Sequence, residues 1–233
     1  MKALKIFLTG ALAISLLASS GCSSMTNTGK GALIGGGGGS ALGAGIGALI
    51  GGGKGAGIGA AIGAAVGAGA GTLIGNKMDK QKKQLEAKLA EKAQVETVQD
   101  QNGLQAIKVT FNSGILFPFN GTSLSQSAKQ DLTTFASSLI NNPQTDVQIF
   151  GYTDNVGSYA ANEKVANGRA DAVRTYLINS GVAASRITAQ GIPMADYVAS
   201  NDTPEGRAQN RRVEIYITAS PQMIQAAENG TLQ

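Results

Sequence analysis

The chain has 233 residues, room for one or two domains, and its formal charge of +4 is unevenly spread. Residues 1–75 hold four Lys and no acid, whereas residues 103–233 hold nine Lys plus Arg against ten Asp plus Glu, so the C-terminal part is near neutral and carries no nucleic-acid footprint. With no His and a single Cys, the sequence excludes histidine general-base catalysis, most zinc sites and any intrachain disulfide, and it calls for no cofactor.

Residues 1–21 read as a signal peptide. Lys2 and Lys5 form a positive start, Ile6 to Ala18 an apolar run, and Ser19, Ser20 and Gly21 a small-residue stretch before Cys22. The run ending at Cys22 resembles the lipobox of bacterial lipoproteins, with Ser19 where that family usually has Leu. The resemblance implies acylation of Cys22 at the head of a lipidated N-terminus, residues 22–30. More than one acyl chain suffices for stable anchoring, since each buried methylene contributes roughly 0.8 kcal/mol. Ser23 in place of Asp is compatible with the outer membrane.

Residues 31–75 are a glycine block. Of 33 glycines in the chain 20 lie here, and one falls at every fourth position from Gly31 to Gly75. Ala, Leu, Ile and Val fill the gaps, which does not suit a flexible linker. A free helix in water does not suit it either, because each Gly costs about 1 kcal/mol relative to Ala. Small residues at this spacing let helix backbones approach closely. Lys54, set among glycines, divides the block into two halves, each long enough to cross a bilayer. The reading is a helical hairpin of the glycine-zipper kind, placed in the membrane. The competing reading is a soluble or self-associating apolar segment of irregular structure, the latter giving a homo-oligomer through residues 31–75.

Residues 76–102 carry six Lys and five acids. Leu85 and Leu89 give a thin apolar stripe, so the expectation is a solvated helical linker acting as a spacer. Beyond it, residues 104–111 alternate like a half-buried strand. Leu124, Ala128, Leu132, Phe135 and Leu139 fall at helical spacing, with Pro143 just past the end. Residues 145–154 form a second strand, and residues 158–180 a second helix stopped by Gly181. A third strand covers 185–191. A short helical turn follows, with Thr203 at its N-cap and Pro204 at its first position. Residues 211–219 form a fourth strand. The predicted domain, 103–220, is therefore an α/β sandwich of order β-α-β-α-β-β with helices on one face. Residues 221–233 are left as a C-terminal tail.

The stretches "GYTDNVGS", "NEKVANGRADAVRTYLINSGVAASRITAQG" and "NDTPEGRAQNRRVEI" resemble the signature of the OmpA-like peptidoglycan-binding domain over roughly residues 104–219. With the lipobox and glycine block in front, the whole is similar to outer-membrane lipoproteins with a glycine-zipper segment. Three departures stand out. Tyr152 occupies a position where His is common. Val165, Ala166 and Gly168 replace more usual residues ahead of Arg169. Phe117-Pro118 stands where the family often has Phe-Asp, which removes a carboxylate from the rim of the site.

The resemblance implies binding of the meso-diaminopimelate of peptidoglycan stem peptides. That side chain ends in a carbon bearing both an ammonium and a carboxylate. Asp154 matches the family position that accepts from the ammonium, and Arg169 the one that grips the carboxylate in a fork, which Lys does not reproduce. Val165, Arg169, Val173 and Leu177 share a helix face, where an Arg among apolar residues calls for a partner. Read from residues alone, Asp154 and Arg169 are either two halves of a binding site or a structural ion pair. Asn120 lies where the family often places a polar contact, and the Thr153 hydroxyl is placed to orient the Asp154 loop. One of Arg211 and Arg212 supports the site or the sheet edge, because strand alternation sends them to opposite faces. The implied function is non-enzymatic. A lipid-anchored protein of the outer membrane, with its C-terminal domain in the periplasm, binds peptidoglycan and tethers membrane to wall. The alternative is a membrane-assembly component whose glycine block is its main functional part.

Overall fold

A computed structural model of the protein describes residues 68–100, 102–118 and 121–232. Cys22, Asn120 and most of the glycine block lie outside the described residues. The elements in chain order are α1 (Ala68–Lys88), β1 (Gln94–Gln99), β2 (Gln105–Asn112), a single turn α2 (Ser113–Leu116) and α3 (Gln126–Asn141). Then come β3 (Thr145–Tyr152), α4 (Tyr159–Asn179), a 3-10 turn (Ala184–Arg186), β4 (Ile187–Ile192), α5 (Pro204–Asn210), β5 (Arg212–Ala219) and α6 (Pro221–Glu228).

The sheet has the order β1-β2-β5-β3-β4. Only β3 and β4 run parallel; the other neighbours are antiparallel. Alternation decides which residues meet. Val109 and Ile149 both lie opposite Ile215, and Ile107 and Val147 both lie opposite Ile217. These side chains form one fully buried layer under the helices, closed by Leu132, Phe135 and Leu139 of α3 and by Val173 and Leu177 of α4. The other sheet face carries a smaller cluster of Phe150, Tyr152, Ile192 and Tyr216. The α/β sandwich with helices on one face is as the sequence indicated, but it has a fifth strand.

Helix starts follow their caps. Ser125, Ser158, Thr203 and Ser220 each accept from the backbone N–H three residues on, at 3.1, 3.3, 3.1 and 3.2 Å. Arg186 ties the end of α3 to the start of β3, donating to the carbonyls of Leu139, Asn142 and Thr145 at 2.9, 2.9 and 2.6 Å. Arg186 therefore has a structural role.

The expectation of a solvated spacer over residues 76–102 is corrected. Ile74, Met78, Leu85 and Leu89 are buried in the main core. The α1 face they form packs against α6, β1 and β2. The stripe looked thin because Ile74 was counted with the glycine block and Met78 stood alone. Residues 94–99 were missed as a strand because β1 is an edge strand. Its two valines, Val95 and Val98, are three apart and only half-buried, so no period-two pattern marks it. The tail is also more than a tail, since Met223, Ile224 and Ala227 of α6 join the same core.

These pairings give the sheet two poles. The middle of α1 lies at the Gln105 end, where Asp79 Oδ1 accepts from Gln105 Nε2 at 2.5 Å. The opposite pole is at Asn112, Tyr152 and Arg212, where β2 and β3 end and β5 begins.

Candidate functional site

Two glycines let α4 settle on the sheet beside that second pole. A Cβ on Gly151 would lie 2.3 Å from the Ala166 carbonyl oxygen, and one on Gly191 would lie 2.4 Å from the Asn167 nitrogen. Backbone therefore meets backbone, and Arg169, one turn further along α4, is set against the loops after β2 and β3. The departures ahead of Arg169 have a steric reason. Ala166 is the residue under both glycines, and Gly168 makes room for Thr122, whose Cγ2 would be 2.9 Å from a Cβ there.

Arg169 is 3% exposed. Its Nε donates to the Gly121 carbonyl at 3.1 Å, and its guanidinium carbon lies 5.4 Å from the centre of the Phe117 ring. This fixes the loop after β2, which is closed at its base by Ser125 N donating to Leu116 O at 2.9 Å. Burial pushes the Arg169 guanidinium below the ordinary arginine value, the nearby Arg211 charge pushes it the same way, and Asp154 opposes both. The three charges thus share one site.

Asp154 follows β3 and is 8% exposed. Its Oδ1 accepts from Val156 N at 3.0 Å, a turn that side chains of its type favour. Its Oδ2 accepts from Arg211 Nη1 at 2.6 Å. Asp154 therefore makes its ion pair, among the described residues, with Arg211 rather than Arg169. Thr153 is 3% exposed, and its Oγ1 accepts from Met194 N at 3.0 Å, which fastens the Asp154 loop to the turn after β4. Asn162 donates through Nδ2 to the carbonyls of Val156 and Ser158 at 2.9 and 3.1 Å and closes the other side of that loop.

The adjacent arginines diverge as strand alternation requires. Arg211 stands at the end of α5 and turns to Asp154. Arg212 enters β5 and crosses to the open sheet face, where it lies 3.8 Å over the Tyr152 ring and donates through Nε to Glu214 at 2.8 Å. Tyr152 thus supports Arg212 and packs in the smaller cluster on that face. The buried Asn210 accepts from Val198 N and Ala199 N at 2.9 and 3.0 Å, which holds the loop beside α5.

The structure brings Asp154, Thr153 and Arg169 to one pole, while Asn120 falls outside the described residues. Sequence reasoning did not identify Asn162 or the Phe117 ring contact. It left Arg211 and Arg212 undecided, because the pairing of Arg211 with Asp154 spans 57 positions.

Residues 116–211 match the OmpA family, and residues 1–79 match the YMGG-like Gly-zipper. The probable lipoprotein YiaD of Escherichia coli is 41% identical over 148 residues, 64% of this chain and 65% of that protein. The peptidoglycan-binding protein ArfA of Mycobacterium tuberculosis is 41% identical over 112 residues, 48% of this chain and 34% of that protein. The chain therefore spans less than two thirds of either relative. Among solved structures, the cell wall anchor of the T6SS from Pseudomonas aeruginosa aligns with a TM-score of 0.51 at 28% identity, over 60% of this chain and 99% of that one. Among the described residues no helix is long and apolar enough to cross a membrane. The chain is thus similar to the OmpA family over residues 116–211, behind a segment similar to the YMGG-like Gly-zipper.

Proposed function

We propose that the protein binds peptidoglycan through the diaminopimelate of its stem peptides, with Asp154 taking the ammonium and Arg169 the carboxylate of the distal centre. The observation that carries this reading is the placing of Arg169. It is held at 3% exposure on a helix face, in the same charge cluster as Asp154, at the pole where three loops meet. A buried guanidinium beside a carboxylate matches a ligand group with one charge of each sign, and a protein-derived contact to either is charge-assisted. Thr153 and Asn120 are assigned supporting roles in the two loops. The name of ArfA points the same way. With acylation at Cys22, the protein is a lipid-anchored link between outer membrane and wall.

The test is calorimetric titration of the detergent-solubilised chain with a diaminopimelate stem peptide and with its Lys counterpart, which lacks the distal carboxylate. Asp154→Ala and Arg169→Ala are each expected to weaken the first peptide by about 10- to 150-fold, as for loss of a charge-assisted contact. Arg169→Lys is expected to bind poorly too. Equal affinity of the unmodified protein for both peptides returns Asp154 and Arg169 to a purely structural role.

A further inference from the structure

The open sheet face carries a groove that the proposed site does not use. It holds about 570 Å³, within the range of ligand pockets. Its floor is Lys108 and Thr110 of β2 with Arg212 and Glu214 of β5. One wall is the turn from α1 into β1, Glu91 to Gln94, and the other is Val198 of the loop after β4 with Gln209 of α5. Asn112 and Ile115 also line it, so it reaches the pole where Phe117 meets Arg169.

Both walls are strained. Among the described residues the non-glycine positions at positive φ are Glu91, Met194 and Asp196, at 66°, 50° and 51°. Glu91 lines the groove, and the other two lie in the loop that supplies Val198. The Asp196 carbonyl accepts from Arg212 Nη2 at 2.9 Å, which ties that loop to the floor. Such backbone costs free energy and collects where a surface is shaped for a ligand.

The lining suits an uncharged ligand rich in hydroxyls. On the floor the charges offset one another, since Glu214 accepts from Arg212 Nε at 2.8 Å and has Lys108 Nζ 3.5 Å away. A strongly charged partner of either sign meets like charge, at Lys92 and Lys108 or at Glu91 and Glu214. Hydrogen-bonding capacity is left in side-chain amides. Asn112 accepts from Gly114 N through Oδ1 at 2.9 Å and keeps its Nδ2 donors, and Gln94 donates to Glu96 at 3.2 Å and keeps its carbonyl. Gln209 adds a third amide on the opposite wall. An amide offers donor and acceptor together, which neighbouring hydroxyls and N-acetyl groups require. Tyr197 and Val198, 41% and 56% exposed, supply an apolar edge for the faces of sugar rings.

We infer that this groove is a second binding site, which takes the glycan of the wall, a run of linked N-acetylated sugars. The choice of wall glycan over another sugar rests on the peptidoglycan reading above; the groove itself does not.

The experiment titrates the detergent-solubilised chain by calorimetry with the tetrasaccharide of N-acetylglucosamine, which has no peptide. The diaminopimelate stem peptide, which has no sugar, is titrated in parallel. Gln209 is exposed, so Gln209→Trp fills the groove from its rim and is expected to abolish tetrasaccharide binding. Gln94→Ala, on the other wall, is expected to weaken it about 2- to 10-fold, the worth of one neutral hydrogen bond. Both variants should keep the stem-peptide affinity, and thermal melts check that they are folded. If the unmodified chain does not bind the tetrasaccharide, or if both variants bind it as the unmodified chain does, the inference is overturned. If poly-L-glutamate binds and the tetrasaccharide does not, the groove takes an acidic partner and the inference is likewise overturned. A chain that binds the tetrasaccharide through both walls but fails to bind the stem peptide upholds the groove and overturns the reading of Asp154 and Arg169.

Discussion

Gly151 of β3 touches the Ala166 carbonyl of α4 so closely that a Cβ on the strand would sit 2.3 Å from the oxygen. The neighbouring atom is backbone, so relief requires moving the helix. Gly151→Ala is expected to destabilise the domain by about 1–3 kcal/mol, the usual cost of overpacking. It also displaces Arg169, which lies on the same helix three residues beyond Ala166. Stem-peptide affinity should therefore fall along with the melting temperature. A variant that melts lower but binds as before would show that α4 shifts without carrying Arg169.

Glu214 sits at the centre of a buried polar ladder on the open sheet face. It accepts from Arg212 Nε and from Tyr216 OH, each at 2.8 Å, and Lys108 Nζ lies 3.5 Å away. Burial pushes its carboxyl up, but Arg212, Lys108 and the Tyr216 hydroxyl together hold it below the ordinary value of 4.5. A depressed folded value contributes stability that is present above the unfolded value and is lost as pH falls through the folded one. Glu214→Gln should therefore cost on the order of 3 kcal/mol at neutral pH, because it leaves Arg212 buried without its counter-charge. That cost should shrink steadily below pH 4.5. Urea denaturation of both proteins from pH 7 downward reads the difference directly. A cost that does not change with pH would remove the ionic part of the argument.

Met78 and Leu85 of α1 are fully buried, so α1 counts as part of the domain rather than as a leader to it. Met78→Ala and Leu85→Ala should each cost about 2–5 kcal/mol, the range for truncation in a packed core. A chain begun at residue 103 loses α1 and β1 together. It is expected to be far more sensitive to protease than one begun at residue 68. Comparable resistance of the two would place α1 outside the cooperative unit.

Cys22→Ser removes the expected site of acylation. The protein should then leave the outer-membrane fraction and lose label from a radioactive fatty acid. Loss of label with full retention in the membrane would assign anchoring to residues 31–75 instead.

The sheet centre was legible in the sequence because β2, β3 and β5 alternate strongly. The helix α3 was legible from its apolar spacing, α4 from its stop at Gly181, and α5 from Thr203 and Pro204 at its start. β1 was not, since an edge strand with both faces half-wet has no reason to alternate. The division of α1 between a glycine block and a charged segment hid its buried face, because each half alone shows too few apolar residues. At the site, Asp154 and Arg169 were picked out through the motif and through the oddity of an Arg among Val165, Val173 and Leu177. The partner of Asp154 was not, because no local pattern announces an ion pair closed by the turn from α5 into β5. The same holds for Tyr152, whose departure from His makes sense only once Arg212 is seen lying over its ring.

The two poles of the sheet have a mechanical meaning. A pull applied between residue 68 and the Asp154 loops acts along the strands and along the axis of α1, whose 21 residues span about 30 Å. From its middle, at the Gln105 pole, the helix runs toward the loops before the chain turns back into β1. Drawing it out lengthwise must slide Ile74, Met78, Leu85 and Leu89 past their neighbours together, in shear. Peeling it away from the side would part those contacts one after another. Under the proposed function, a load between the N-terminal segment and the Asp154 loops would fall on these contacts together.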